Sequence, residues 1–344
     1  EPGSLDALAK AINQASVSGS DRLPVELTAR MISRSEAEIT VINPLSRPLE
    51  AELSINTSPM KREVFQPLES KRFRTVLKQE LPFNRFRNLS IPVGMKFGGR
   101  RVDTVFRMNV LPVREVGERF DWNTVPAVPV EHIHPEFDAK QNGITWGGPS
   151  DLSAVCRIAW NSRNLYLRFE VTDDRFVLNL HPKGPHVWYD NDAIQLFFDS
   201  FGNARESARL GRIGFDQDDY SYELLPTSPN RCVVYLRHVP DHQLTGGVDG
   251  GLKGNVLEDG VKCEFSQSGT KRIYTVTFPA RYLMPMSLEA GKTPGIGIKI
   301  YDRDSREGHA KQNLSNIPLK EGDAFQRPDL YTQLLFVPGT GKPQ

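Results

Sequence analysis

The sequence predicts an all-β protein built from two β-sandwich domains. Three observations lead there. Apolar and polar residues alternate with a period of two in one short segment after another, the spacing of half-buried strands. Clusters of Pro, Gly, Asn and Ser separate these segments and supply the turn conformations that strands need between them. The chain has 344 residues, too many for one ordinary core, so it divides.

Taken in order, residues 4–17, SLDALAKAINQASV, are the one convincing helical stretch. Ser4 can cap it, and Leu5, Leu8, Ala9 and Ile12 make one apolar stripe, so residues 1–20 read as a helix and linker. Residues 21–118 hold VELTARMI, AEITVINP, LEAELSIN, KRFRTVLKQ, FRNLSIPVGMKF and RRVDTVFRMNVLPV. Short strands at this spacing suggest a sandwich of immunoglobulin or fibronectin type, a frequent spacer. Residues 119–136 are rich in Pro and read as a linker or a strap across the next domain. His132 and His134 there form an H-x-H pair without an evident third metal ligand. Residues 137–340 hold a second, longer run of strands, from AVCRIAWN to YTQLLFV, expected as a sandwich or jelly roll.

Composition narrows the function. The formal net charge is +1, which gives no global attraction to nucleic acid or anionic membrane. No apolar run approaches the roughly 18 residues of a membrane helix. The opening Glu-Pro-Gly-Ser reads as a mature or trimmed form of an exported protein, and a monomer is expected. Cys156, Cys232 and Cys263 lack CxxC spacing, which argues against a zinc site; buried free thiols are expected, with one bridge left open. Nothing selects a general acid/base pair or a nucleophile elbow, so the chain is expected not to be an enzyme. A spacer or protein-binding role is kept open as an alternative.

Two stretches carry the candidate chemistry. In HVWYDNDAIQLFFDS, residues 186–200, an aromatic and acidic cluster runs into a strand. Ile194, Leu196 and Phe198 fall on one face, and Gln195 is a lone amide on the other, where it is useful if a polar ligand lies there. In Asp216-Gln217-Asp218-Asp219 the carboxylates, with Asp199 ending the earlier strand, could hold Ca²⁺, a hard cation that takes clustered oxygens.

The second domain resembles the family 9 carbohydrate-binding modules, within the fold group that also contains DOMON domains. The resemblance rests on Phe137-Asp138, the stretch from Trp146 to Ser153, Ile158-Ala159-Trp160-Asn161 and Asn164-Leu165-Tyr166-Leu167. It continues through Val171-Thr172-Asp173-Asp174, the stretch from Trp188 to Asp199, Tyr301-Asp302-Arg303-Asp304, Arg306-Glu307-Gly308 and Phe325-Gln326-Arg327-Pro328. The resemblance implies a non-catalytic module that clamps a sugar ring between two aromatic side chains, with calcium ions bracing loops. It places Trp188 and Phe325 as the clamp, the latter where the family usually has a second Trp. Gln195 falls where sugar-binding members can carry a Glu, and Asp192, Tyr222 and Arg327 join the implied glycan contacts. The strand Tyr220-Ser221-Tyr222-Glu223 departs from the Arg and Asn that some members carry. The resemblance to the DOMON group also implies haem-binding electron transfer as an alternative, with Met284 and Met286 and His186 or His238 as the candidate ligands.

Overall fold

The computed structural model describes residues 25–135, 146–178, 191–204, 214–239, 260–304, 312–317 and 326–339. The helix expected over 4–17 lies outside them, and no helix longer than a short turn occurs among them. No helix of the described residues is long and apolar enough to cross a membrane. The chain forms two compact units. One takes the residues up to Leu81 with Asn88–Met108, and the other takes Pro82–Arg87 and everything from Asn109 on.

The first unit holds β1 (Glu26–Met31), β2 (Glu36–Ile42), β3 (Leu49–Ile55), β4 (Lys61–Phe65), β5 (Ser70–Val76), β6 (Arg87–Phe97) and the first half of β7 (Arg100–Glu115). They pair in two sets, β1-β2-β5 and β4-β3-β6-β7. Alternate residues from both sets are buried, among them Ile39 and Val41 on β2, Leu53 and Ile55 on β3, and Val93 and Met95 on β6. β6 and β7 are joined by Gly98 and Gly99, both at positive φ, which a two-residue hairpin turn requires and a side chain resists. β4 is short and mostly exposed, and its KREVF alternation is easily passed over in the sequence.

The second unit continues β7 and adds β8 (Val128–Val130), β9 (His132–Pro135), β10 (Leu152–Trp160), β11 (Asn164–Asp173), β12 (Ile194–Asp199) and β13 (Asp219–Ser228). After these come β14 (Arg231–His238), β15 (Lys262–Ser268), β16 (Lys271–Pro279), β17 (Gly295–Asp302), β18 (Gln312–Ser315) and β19 (Thr332–Val337). Its strands follow one hydrogen-bonded path, β14-β13-β12-β17-β19-β7-β10-β11-β16-β15. Most pairs are antiparallel, but β7 lies parallel to both β19 and β10. The two ends of the path approach each other, where the Gln267 N–H of β15 donates to the Pro229 carbonyl beside β14 at 3.0 Å. The sheet thus nearly closes into a barrel. The Pro-rich stretch supplies β8, paired with β10, and β9, paired with β18.

The core lies inside this sheet. Ile194, Leu196 and Phe198 pack with Leu167, Phe169, Val276, Phe278, Ile298 and Phe336, among others. Trp160 is fully inside it, stacked on Phe336 with ring centroids 5.0 Å apart, and its indole N–H donates to the Val113 carbonyl at 2.9 Å. Trp160→Ala removes that ring and orphans the carbonyl. It is expected to lower the unfolding free energy of this unit by about 3–5 kcal/mol, read as a shift of the urea midpoint by circular dichroism.

Candidate functional site

β12 is buried on both faces, so its alternation separates two chemistries rather than core from water. The even-numbered residues face the core. The odd-numbered residues Ala193, Gln195, Phe197 and Asp199 face the other way. Register extends this second face across the sheet. Tyr235, Glu223, Gln195, Lys299, Ser315 and His132 are successive Cα partners on β14, β13, β12, β17, β18 and β9. Six neighbouring strands therefore place one polar or aromatic side chain each in a single row.

The row is bonded together. Gln195 Nε2 donates to Ser221 Oγ at 3.4 Å, and Tyr301 donates its hydroxyl proton to Gln195 Oε1 at 3.2 Å. Lys299 Nζ sits 4.3 Å from the centre of the Tyr301 ring, a cation held against an aromatic face. Arg237 reaches Glu223 Oε2 with Nε at 2.6 Å and Nη2 at 2.5 Å. The other carboxylate oxygen, Glu223 Oε1, is buried and has no hydrogen-bond partner among the described residues. Burial pushes the Glu223 carboxyl up to about 7, against the pull of Arg237. Gln195, Lys299 and Tyr235 each keep 7–8% exposure, and His132 and Arg237 are half-buried, so the row is not sealed. At its flank Phe197 packs against Tyr331 and Phe215 at 5.9 and 6.1 Å. Gly297 permits this, because a Cβ there would lie 2.9 Å from the Tyr331 ring.

Two positions beyond Phe197 on the same face, β12 ends in Asp199. One oxygen each from Asp199, Asp218 and Asp219 lies within 4.8 Å of the others. Backbone geometry holds them there. Asp199 accepts from the N–H groups of Gly202, Asn203 and Ala204 at 2.7, 3.2 and 3.1 Å, and Asp218 accepts from Phe201 at 2.7 Å. Gly202 sits at φ +68°, and a Cβ would come 2.2 Å from the Thr293 carbonyl, so this loop needs glycine. Burial first, then the neighbouring carboxylates, push Asp199 up to about 6 and Asp218 and Asp219 to about 8. Asp219 Oδ1, Asn203 Oδ1 and Ser200 Oγ are buried and have no hydrogen-bond partner among the described residues. An all-oxygen donor set with orphaned oxygens and mutually repelling carboxylates fits a hard divalent cation. Asp216, expected as a fourth ligand, is outside this trio; its Oδ1 accepts from the Asp218 N–H at 3.2 Å, and its own N–H donates to Asp219 at 2.6 Å.

Two further acidic groups, Asp173 with Asp192 and Asp302, and Asp151 with Asp302 and Asp304, lie elsewhere. In the first the counter-charge is internal. Buried Arg272 pairs with Asp173 and reaches Asp192 Oδ2 at 2.7 Å. In the second Gln312 bridges Asp151 and Asp302 at 2.9 and 2.7 Å.

The residues expected to contact a glycan are not all brought together. Gln195 is in the row. Asp192 is not, because it falls on the core side of β12, where it also accepts from the Val177 and Arg303 N–H groups at 2.6 and 2.8 Å. Tyr222 is a correction of the same kind. It stands opposite Leu196, inside the core, and its hydroxyl donates to the Tyr282 carbonyl. Its neighbour Glu223 is the residue that faces the row. Arg327 is half-buried in a short turn and is paired with Asp329 at 2.7 and 2.8 Å. Trp188 and Phe325 lie outside the described residues, as does His186. Met286 is in the core, Met284 is exposed, and His238 stacks on Phe215 at 4.5 Å. His132 and His134 belong to β9, where His134 bonds the Ile317 carbonyl at 3.1 Å.

Sequence reading missed Glu223 and Lys299. The available signal was a lone charge inside an otherwise apolar strand, as in YELL and GIGIKIYD. Trp146 is 42% exposed, with its indole N–H bonded to the Leu152 carbonyl at 2.9 Å.

Residues 131–337 match the family described as carbohydrate family 9 binding domain-like. Similar solved structures include a family 9 carbohydrate binding module from Caldicellulosiruptor kristjanssonii in complex with cellotriose, at 14% identity and a TM-score of 0.45. That match covers 68% of this chain and 97% of that one. The complex of such a module with glucose gives 15% and 0.45, covering 68% and 98%. A putative carbohydrate-binding protein from Bacteroides uniformis gives 15% and 0.42, covering 66% and 98%. No curated protein matches the chain. With the family profile spanning more than half of its length, the chain belongs to the carbohydrate family 9 binding domain-like family.

Proposed function

We propose that the chain binds a polysaccharide or oligosaccharide without acting on it, and that the row across β14 to β9 is where it does so. The observation that carries this is the Glu223–Gln195–Lys299 row with its orphaned Glu223 Oε1. A sugar hydroxyl is both donor and acceptor. A fixed carboxylate oxygen, an amide and an ammonium group side by side offer it both. Among the described residues the row holds a single carboxylate, Glu223, whereas glycoside hydrolysis uses two facing each other across the bond. Trp188 and Phe325 would supply the ring-stacking surfaces that the family resemblance assigns them. The first unit reads as an immunoglobulin-like spacer of fibronectin type, a reading supported by its β1-β2-β5 and β4-β3-β6-β7 strand sets. The setting that suits such a pair is outside the cytoplasm, as an appendage of a larger polysaccharide-processing protein.

Titration calorimetry against gluco- and xylo-oligosaccharides tests the site. The unmutated chain is expected to bind with a Kd in the micromolar to millimolar range. Gln195→Ala and Glu223→Gln each lose about 0.5–1.5 kcal/mol, up to about tenfold, with the fold intact by circular dichroism. Trp188→Ala removes detectable binding. Failure of every soluble oligosaccharide to bind the unmutated chain would overturn the reading.

The Asp199, Asp218 and Asp219 trio is proposed to hold Ca²⁺, which would brace the β12 and β13 ends beside the row. Without the ion, Asp218 and Asp219 titrate near pH 8 in the fold and near 3.9 unfolded. The folded state then holds more protons than the unfolded one between these values. The stability these groups contribute is therefore full below about pH 4 and is lost as pH rises to about 8. A cation takes the place of the protons, so it matters most at the top of that window. EDTA should lower Tm, more at pH 8 than at pH 5, and added Ca²⁺ should restore it. Asp219→Asn should abolish the response to both reagents.

A further inference from the structure

The path of strands in the second unit has two ends, β14 and β15, and its hydrogen-bonded ladders do not join them. What does join them is the Gln267 to Pro229 hydrogen bond. As the chain runs on from Pro229 and back from Gln267, it brings Cys232 and Cys263 together. Cys232 pairs with Pro226 on β13 and Cys263 with Val276 on β16, so each is held in register by the strand behind it. Both side chains pack against the outer layer of the same core, both are only partly buried, and both are free thiols. β14 and β15 pack against each other, and the two thiols interact electrostatically across that contact.

We propose that Cys232 and Cys263 form a reversible disulfide that closes the seam of the barrel. The oxidant is a low-molecular-weight disulfide. One protein thiolate attacks it, forming a mixed disulfide and releasing one small thiol. The second protein thiolate then attacks the protein sulfur of that mixed disulfide and releases the second small thiol. Two protein thiols become one disulfide, two electrons pass to the oxidant, and the two protons leave on the released thiols. Burial holds the Cys232 thiol well above its ordinary range, so closure is slow at neutral pH and faster in mild alkali. Cys156 takes no part. It is fully buried in the same core, and burial pushes it up to about 12. The bridge would tie down β14, which carries Tyr235 and Arg237 of the row, by closing a loop of about 30 residues across the two strand ends.

The test uses the full chain equilibrated in reduced and oxidised glutathione mixtures, with alkylation and peptide mapping under non-reducing conditions. The expected product is a cross-linked peptide pair containing Cys232 and Cys263, with Cys156 unmodified. Tm should rise by several degrees and return on adding dithiothreitol. Cys263→Ser, close in volume, should give only a glutathione adduct at Cys232 and no rise in Tm. Separate glutathione adducts on both cysteines of the unmutated chain would overturn the proposal. So would a chain that stays fully reduced at every ratio, or a cross-link that lowers Tm.

Discussion

β12 has to satisfy two buried environments with one six-residue strand, and a period of two is the only means it has. Ile194, Leu196 and Phe198 enter the barrel core, while Gln195, Phe197 and Asp199 enter a polar layer. A slip of one residue in its pairing would place Gln195 and Asp199 among Leu167, Phe169 and Phe278 and would push three large apolar groups among charges. Each misplaced polar group would then cost a few kcal/mol, comparable to a large share of a domain's total stability. Its antiparallel pairings with β13 and β17, both unbroken over all six residues, are therefore fixed from both sides. The polar row inherits its alignment from that register.

Burying charge in the row is unfavourable unless partners replace water. Glu223 shows both sides of that balance. Arg237 meets one oxygen with two N–H groups, the geometry that makes a guanidinium–carboxylate pair strong. The other oxygen stays unpaired, which in a fold selected for stability alone would be a defect. A ligand hydroxyl would turn it into a gain, because the cost of dehydrating that oxygen is already met before binding. Lys299 is arranged in the same spirit, desolvated but held over Tyr301. Contacts of this kind contribute little each, so affinity depends on several being aligned together, and the row supplies alignment.

Legibility in the sequence followed the range of the interaction. Alternation is local, and it showed nearly every long strand and the odd position of Gln195 in β12. The carboxylate cluster of Asp199, Asp218 and Asp219 was also legible, because its members sit in two short segments that end neighbouring strands. β8, β9 and β18 were not, since three or four residues among prolines and turns give no period. Tyr222 and Glu223 show a subtler limit. Both faces of β13 are buried, and composition alone cannot say which of two adjacent residues looks inward. The pairing Leu196↔Tyr222 and Gln195↔Glu223 decides it, and that is a tertiary fact. Asp192 was beyond local reading for the same reason, since its counter-ion, Arg272, arrives from β16 far along the chain.

β12 is anchored at both of its own ends, on either side of the row that crosses it, and this bears on what the row is suited to recognise. Just before β12, Asp192 is fixed by Arg272 and by the Val177 and Arg303 N–H groups. At the far end of the same strand, Asp199 is fixed by three loop N–H groups and stands beside Asp218 and Asp219. Between these anchors the row spans strands rather than loops, so its side chains have little freedom left to lose when a ligand docks. A sugar ring gains only modestly from each hydroxyl contact and cannot compensate for the ordering of a mobile surface. A rigid sheet face with an aromatic flank and preset donors and acceptors suits such a ligand. The carboxylate trio at one end of β12 would make this rigidity respond to what neutralises it, protons at low pH or, on the reading proposed above, a cation at high pH.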